Sequence, residues 1–464
     1  MKKTGNLPRV MIAASGSGSG KTTITCGLLQ ILKNRGIRVQ AFKCGPDYID
    51  PLFHTRVIGV PSRNLDLFLS PEDTVRYLLT ADAEQTDLAV IEGVMGFYDG
   101  LGGIRTSAGS YDLAKCTGTP VILILDCKGM SLSAAAMVKG FAGFRSDSHI
   151  EGVILNRMSP GLYPALKEEI EKETGIPVVG YVPKLTDCLI ESRHLGLVLP
   201  CEIEDLKRKL EKLAGIIRDT IEIDRILAIA GKAADQETEA EDPAGFFRTD
   251  KKVRIGLARD EAFCFVYEDN LRLLRRMGAE IVPFSILRDR HLPEDLQGLL
   301  LYGGYPELYA EQIAANRSML EEIREHIENG IPCMAECGGF MILHEIMEDM
   351  DGKEFSMAGV IPGRVFYAGK LTRFGYVTLT PDHESGLPEG IRADGIPAHE
   401  FHYYDSTAPG EACTAVKPVS GRSWKCMHIE KNLLAGFPHL YYYGAPGVAA
   451  DFLDKAQKIQ RVDD

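Results

Sequence analysis

Two short stretches concentrate the residue types that do chemistry: SGSGSGKTT at Ser15–Thr23, and the cysteine of AECGG at position 337. The first is suited to holding a nucleoside triphosphate. In a glycine-rich loop ending in GKT, the N–H groups of Gly16, Gly18, Ser19, Gly20 and Thr23 converge on phosphate oxygens. Lys21 reaches the terminal phosphates, and the Thr22 hydroxyl ligates Mg²⁺. The strict G-x4-GK[ST] spacing would put glycine at 15, where Ser15 stands. The flanks still agree with a phosphate loop. Val10–Ala14 reads as a buried strand, and from Thr22 the residues Ile24, Leu28, Ile31 and Leu32 recur at helical spacing as far as Gly36.

Carboxylates follow the next apolar runs, in FKCGPDYIDP (Phe42–Pro51) and LAVIEGVMGFYDG (Leu88–Gly100). A phosphate-bridging Mg²⁺ takes a hydroxyl and one or two carboxylates, so Thr22, Asp47 and Glu92 are the expected metal ligands. Asp50 and Asp99 lie in flanking loops, where they are expected to orient substrate, hold water or carry a second Mg²⁺. An aspartate in a Gly/Pro turn is by default a turn former; that default weakens where the carboxylate ends a buried strand beside the loop.

At IPCMAECGGFMIL (Ile331–Leu343), Cys337 falls between a strand-like run and a helical one, the arrangement of a nucleophile elbow with cysteine in place of serine. The helix N-terminus is expected to lower the thiol pKa. The N–H of Gly338 and one from Gly303–Gly304, with Gly304 favoured, are expected to form an oxyanion hole. A thiol nucleophile needs a base, and GFPHLYYYG supplies His439. A lone cysteine or a lone histidine is by default a core residue. The elbow, the glycine pair and the histidine together point to catalysis.

The elements that must position these residues read as two α/β domains. The chain of 464 residues is 45% hydrophobic and 25% charged, an ordinary globular composition with room for two large domains. A net charge of −13 argues against a nucleic-acid surface. No apolar run approaches the about 18 residues of a membrane span. The short apolar stretch in MKKTGNLPRVMIAASG runs into the phosphate loop and does not read as a signal peptide. The eleven cysteines lack CxxC pairs, and Cys333/Cys337 is not zinc spacing, so reduced thiols and a cytoplasmic location are expected.

Candidate strands are Val10–Ala14, Val39–Lys43, Leu88–Glu92, Val121–Asp126, Gly152–Asn156 and Val178–Val182. Several end in a polar residue (Lys43, Glu92, Asp126, Asn156), which points to one crevice at the carboxyl edge of a parallel sheet. Asn156 is therefore assigned to the nucleotide. The acidic, apolar-poor segment 231–252 reads as a linker, giving domains at 1–230 and 253–455. The second domain is expected to hold strands Val253–Ala258, Glu280–Phe284, Gly298–Tyr302 and Ile331–Ala335. Its expected helices are Tyr267–Met277, Ser318–Asn329 and Gly339–Met347.

With these residues in view, the second domain resembles a class I glutamine amidotransferase, whose cysteine attacks the side-chain amide of glutamine and releases ammonia. Ordinary members carry His-x-Glu; Tyr441 stands at that glutamate here. The same departure marks the branch fused to P-loop synthetases of cobalamin biosynthesis, and nearly the whole chain resembles that branch. The motifs are FKCGPDYIDPLFH, PSRNLDLF, IEGVMGFYDG, ESRHLGL, YGGYPEL, AECGGF, HEFHYY and GFPHLYYYG. The first domain is similar to dethiobiotin synthetase, another P-loop enzyme that phosphorylates a carboxylate.

The resemblance implies a dethiobiotin-synthetase-like parallel sheet followed by a class I amidotransferase-like α/β domain. It also implies amidation of the a- and c-acetate carboxylates of cobyrinate, with ATP, Mg²⁺ and glutamine and no nucleic-acid or membrane partner. Hydrogenobyrinate and nickel-sirohydrochlorin are sibling substrates. A partition-type switch ATPase with a non-catalytic amidotransferase-like domain is the rival from another class. Ammonia chemistry further implies a shielded path from thiol to acyl phosphate. Lys43, Arg63 and Arg193 are candidate cations for the substrate carboxylates. Glu400 is the candidate orienter of His439 by residue type, with a Cys337–His439 dyad as the alternative.

Overall fold

The computed structural model describes residues 2–4, 7–185, 188, 200–238, 243–247, 252–382, 395–430 and 432–459. The chain divides into two compact units, Met1–Ala240 and Glu241–Asp464. Among the described residues, no helix is long and apolar enough to cross a membrane.

The first unit is built on seven strands in the order Ser62–Leu65, Val39–Cys44, Leu88–Glu92, Arg9–Ala14, Val121–Asp126, Ile150–Asn156 and Val178–Val182. Every neighbouring pair is parallel. Parallel strands are covered on both faces, so they read as continuous apolar runs; Arg9–Ala14 is buried at all six positions. The chain enters at the central strand, builds the two outer strands of one side, returns to insert Leu88–Glu92 beside the centre, then crosses over at Val121–Asp126 and builds the other side. Ligands bind at such a reversal, outside the carboxyl ends, and there the glycine loop leads into the helix Lys21–Asn34. That helix packs on Pro200–Thr220 so closely that a Cβ on Gly27 would stand 2.3 Å from Ile217 Cδ1.

The strand Ser62–Leu65 has no apolar signature, because SRNL is held by ladder pairing and by Arg63 rather than by greasy side chains. Arg63 lies over the Phe42 ring at 5.0 Å and pairs with Asp82 at 2.9 Å. It is a buried brace, not the free cation expected for substrate.

The second unit has a six-stranded sheet in the order Ala279–Phe284, Val253–Ala258, Gly298–Leu301, Cys333–Glu336, Leu433–Gly436 and His428–Glu430. It is parallel except at its last pair. After Cys337 the chain forms two further sheets of four and five strands, the second completed by His439–Leu440. The expected helix Gly339–Met347 is corrected here. Only Gly338–Ile342 is helical, and His344–Glu348 is a strand paired with Ile361–Tyr367 and Glu354–Ser356. The long-range partners are what a local 3.6-residue reading does not see.

The segment 231–252 is not plain linker. Gln236–Thr238 pairs antiparallel with Lys2–Thr4 in the first unit, and Pro243–Phe246 forms a 3₁₀ turn in the second. At the other end, the helix Pro446–Gln457 continues past residue 455.

Candidate functional site

The phosphate loop is shaped by left-handed glycines at Gly18 (φ 74°) and Gly20 (φ 92°). Such φ values disfavour any side chain, and a Cβ on Gly20 would also stand 2.4 Å from Nδ2 of Asn156. Ser15 is not among the non-glycine residues with positive φ, and its N–H donates to the Ile124 carbonyl at 3.0 Å. The loop therefore needs no glycine at 15. Asn156, at the end of its strand, donates from Nδ2 to the Ser19 carbonyl at 2.8 Å. It shapes the loop from beneath.

Next to it is a residue the sequence did not single out. Arg157 (φ 58°) donates to both carboxylate oxygens of Asp126, at 2.7 and 2.5 Å, and to the Gly18 carbonyl at 3.2 Å. A strained backbone beside a ligand loop is the one local sign of its role, and it is invisible in sequence.

Lys43 and Glu92 lie opposite each other on adjacent strands. The Thr22 Oγ1 donates to Glu92 Oε1 at 2.6 Å, and Lys43 Nζ reaches the same oxygen at 2.9 Å. Lys43 also pairs with Asp50 Oδ2 at 2.5 Å, and His54 Nε2 lies 3.4 Å from Glu92 Oε2. The side chains of Lys43, Asp50, His54 and Glu92 are all buried. Burial raises the Glu92 pKa, but Lys43, His54 and Thr22 outweigh it and hold the carboxyl well below its usual range. Burial opposes the charge on Lys43, but Glu92 and Asp50 hold it above its ordinary value. One lysine cannot serve two carboxylates equally. Burial and Glu92 push Asp50 up to about 8 despite Lys43. Lys21 donates to the Met95 carbonyl, and burial and Lys43 bring its pKa down to about 8.

Of the expected aspartates, only Asp50 joins the buried cluster. Asp47 accepts from the Ile49 N–H at 2.8 Å, closing the turn before the helix Ile49–Phe53. Asp99 accepts from the Gly96 N–H at 3.0 Å, another turn. Arg193 and the rest of ESRHLGL lie outside the described residues. Among the described residues no group of three or more His, Cys, Asp or Glu is placed to hold a metal by itself. The convergent Thr22 and Glu92 oxygens are instead the kind of partial set that phosphate oxygens complete.

In the second unit, Cys337 sits at φ 48° and ψ −106° between the strand Cys333–Glu336 and the helix Gly338–Ile342. Its N–H donates to the Gly436 carbonyl at 2.8 Å, which pins the turn. Gly303 leaves room between Cys337 and His439: a Cβ there would lie 2.7 Å from His439 Cε1 and 3.4 Å from Cys337 Cβ. A Cβ on Gly338 would stand 3.2 Å from the Gly304 nitrogen, so the two expected oxyanion-hole residues are neighbours. Gly338 opens its helix, so its N–H has no intrahelical acceptor.

The thiol pKa corrects the sequence expectation. Burial, with Glu307, Glu336 and Glu400 nearby, pushes Cys337 well up, although the Gly338 N–H pulls the other way. A five-residue helix does not outweigh a dry pocket. Burial brings His439 down to about 4. Burial thus disfavours the charged form of both the thiol and the imidazole.

The expected orienter is also corrected. Glu400 Oε1 accepts from Trp424 Nε1 at 3.4 Å. The carboxylate found against His439 is that of Glu336, with Oε2 3.6 Å from Nδ1 and both residues buried. Glu336 directly precedes the nucleophile in AEC, a position where a strand residue would ordinarily read as core.

Residues 10–197 match the CobQ/CobB/MinD/ParA nucleotide binding domain, and residues 254–445 match the CobB/CobQ-like glutamine amidotransferase domain. The chain is 39% identical over 455 residues to the cobyrinate a,c-diamide synthase of Caldanaerobacter subterraneus subsp. tengcongensis, covering 97% of this chain and 99% of that one. It is 40% identical over 462 residues to that of Salmonella typhimurium, covering 97% and 98%. The chain belongs to the cobyrinate a,c-diamide synthase family. The phosphate loop and the Lys43–Asp50–Glu92 cluster lie within the matched nucleotide-binding region of this family member. Cys337, His439 and Glu336 lie within the matched amidotransferase region.

Proposed function

We propose that the chain converts the a- and c-acetate carboxylates of cobyrinate to amides, using ATP with Mg²⁺ to activate each carboxylate and glutamine as the nitrogen source. The observation that carries this reading is that Cys337 and His439 both lie against Gly303, in a chain matched to the synthases over nearly its full length.

A carboxylate is a poor electrophile because its leaving group would be oxide. Transfer of the γ-phosphoryl to it gives an acyl phosphate with a good leaving group. Lys21 and the loop N–H groups hold the triphosphate and the charge that develops on the transferred phosphoryl. The Thr22 hydroxyl and Glu92 would hold Mg²⁺. Glu92 Oε2 has no hydrogen-bond partner among the described residues, and a hard oxygen donor of this kind fits the ion. When bound, Mg²⁺ would neutralise charge on the phosphates. Lys43, buried and ion-paired with Glu92 and Asp50, would fix those carboxylates at the same edge.

In the second unit the Cys337 thiolate, formed as its proton passes to His439, attacks the glutamine carboxamide. The oxyanion is met by the Gly304 and Gly338 N–H groups, and His439 returns the proton to departing ammonia. Water then hydrolyses the thioester to glutamate. Ammonia attacks the acyl phosphate, giving the amide and phosphate.

Mass spectrometry of the tetrapyrrole after turnover with ATP and glutamine tests the reading. Two successive gains of an amide on cobyrinate support it, and no conversion of cobyrinate overturns the substrate. Conversion of hydrogenobyrinate or nickel-sirohydrochlorin alone would move the assignment to a sibling.

A further inference from the structure

We propose that Glu336 is the positioning residue of the thiol site, its Oε2 accepting a hydrogen bond from Nδ1–H of His439 so that Nε2 is the unprotonated ring nitrogen that takes the Cys337 proton. The inference rests on the reading of Cys337 as a glutaminase nucleophile.

The position where a His-x-Glu glutamate would stand is committed elsewhere. The Tyr441 hydroxyl donates to Asp269 Oδ2 at 2.9 Å, and its ring meets Tyr267 edge-on at 5.2 Å. Glu400 is directed away as well. His399, not Glu400, is registered opposite His439 in the antiparallel pair, and successive strand residues face opposite sides. Glu400 instead meets Trp424.

Glu336 comes from the other side. It ends the strand that delivers Cys337, paired in register with Gly436, and is 1% exposed. The Leu440 N–H donates to its carboxyl, which anchors it against the residue following the base. Its Oε2 is 3.6 Å from His439 Nδ1, and its Oε1 has no hydrogen-bond partner among the described residues. The titratable groups around the pair are Cys337, His399 and His402, with Tyr302 and Tyr442, whose hydroxyls hydrogen-bond to each other at 2.7 Å. Hydrogen bonds at catalytic histidines are often long before substrate binds and tighten in the complex. Burial also shifts the Glu336 carboxyl toward its neutral form, and the carbonyl oxygen of a neutral acid is a competent acceptor. This is a second reason to assign it an orienting role rather than a charge role.

A neutral acceptor makes a sharp prediction, because glutamine presents the same carbonyl. Glutaminase activity of the full chain would be measured for Glu336→Gln and Glu336→Leu as kcat, KM and a pH profile of kcat/KM. Glu336→Gln is expected to stay within about threefold of the parent, with its acid limb unmoved. Glu336→Leu is expected to lose about a hundredfold or more in kcat, with KM for glutamine within about twofold, because the ring then populates the wrong tautomer. Full activity in Glu336→Leu overturns the proposal. So does a hundredfold loss in Glu336→Gln, which reads the outcome even if the leucine variant does not fold. A parent chain with no glutaminase activity, or one unaffected by Cys337→Ser, would instead overturn the functional reading beneath it.

Discussion

Thr22 and Glu92 meet at the carboxyl edge of the first sheet, the threonine Oγ1 donating to Glu92 Oε1 at 2.6 Å. The contact joins the first turn of the loop helix to the end of the neighbouring strand, and Lys43 arrives on the same oxygen from the strand beyond. One carboxylate thus organises a hydroxyl and an ammonium in a buried place. Removing one partner of a buried ion pair is costly, because the other charge is left without compensation.

Glu92→Gln should therefore abolish amidation with glutamine and with free ammonia alike. Its effect on stability should be milder than about 3–5 kcal/mol, the usual cost of stranding a buried charge, because Asp50 ionises in its place beside Lys43. The double variant Glu92→Gln/Asp50→Asn removes that relief and should be less stable than the two single losses added together. Urea unfolding of the three variants measures the coupling, and strict additivity would contradict the shared-lysine arrangement.

Lys21 supplies a pH signature. Burial and Lys43 bring its pKa down to about 8, so the free chain loses this charge as pH rises through that value. The charged form is the one that binds a triphosphate, so nucleotide Kd should be flat below pH 7.5 and rise up to tenfold per pH unit above about 8. Arginine stays charged across this range, so Lys21→Arg should flatten the curve even if its affinity is lower. Equilibrium titration with a fluorescent ATP analogue from pH 7 to 9.5 reads both. Lys21→Ala should abolish amidation from either nitrogen source.

Cys337→Ser separates the two half-reactions. Glutamine-dependent amidation should fall by about three orders of magnitude or more, since a serine hydroxyl is far less acidic than a thiol and a much weaker nucleophile with the same base. Ammonia-dependent amidation should persist near the parent rate at high ammonium and pH above 8.5. A switch ATPase would show neither dependence, so comparing the two nitrogen sources by product mass decides between the readings.

Much of this was legible in the sequence, for a physical reason. Parallel strands buried on both faces are continuous apolar runs, so Val39–Cys44, Leu88–Glu92 and Val121–Asp126 declare themselves, and the polar residues ending them fall at one edge. The glycine loop and the Cys337 elbow are encoded within a few residues. Features that depend on distant partners were hidden. Ser62–Leu65 is a strand because of its neighbour, and His344–Glu348 is a strand because Ile361–Tyr367 pairs with it. Glu336 looks like core until the register brings His439 to its carboxyl, and Arg157 looks like surface until its positive φ turns it onto Gly18.

The clamp beneath the loop gives the last prediction. Asn156 occupies the space a Gly20 side chain would need, its Nδ2 2.4 Å from the position of a Cβ. Gly20→Ala meets two obstacles, the clash and the left-handed backbone at φ 92°, the latter worth about 1–2 kcal/mol for a residue with a Cβ. Asn156→Ala removes the hydrogen bond to Ser19 and should weaken nucleotide binding by about tenfold, the equivalent of one buried hydrogen bond. Gly20→Ala alone should weaken it by about a hundredfold or more. In the double variant the clash is gone and only the backbone strain remains, so binding should recover part of the way and stop short of Asn156→Ala. Glutaminase activity without ATP should be unchanged throughout, because none of these atoms belongs to the second unit. Calorimetric Kd values for the three variants test the argument. A double variant as weak as the sum of the singles would show that Asn156 does not limit what Gly20 can be.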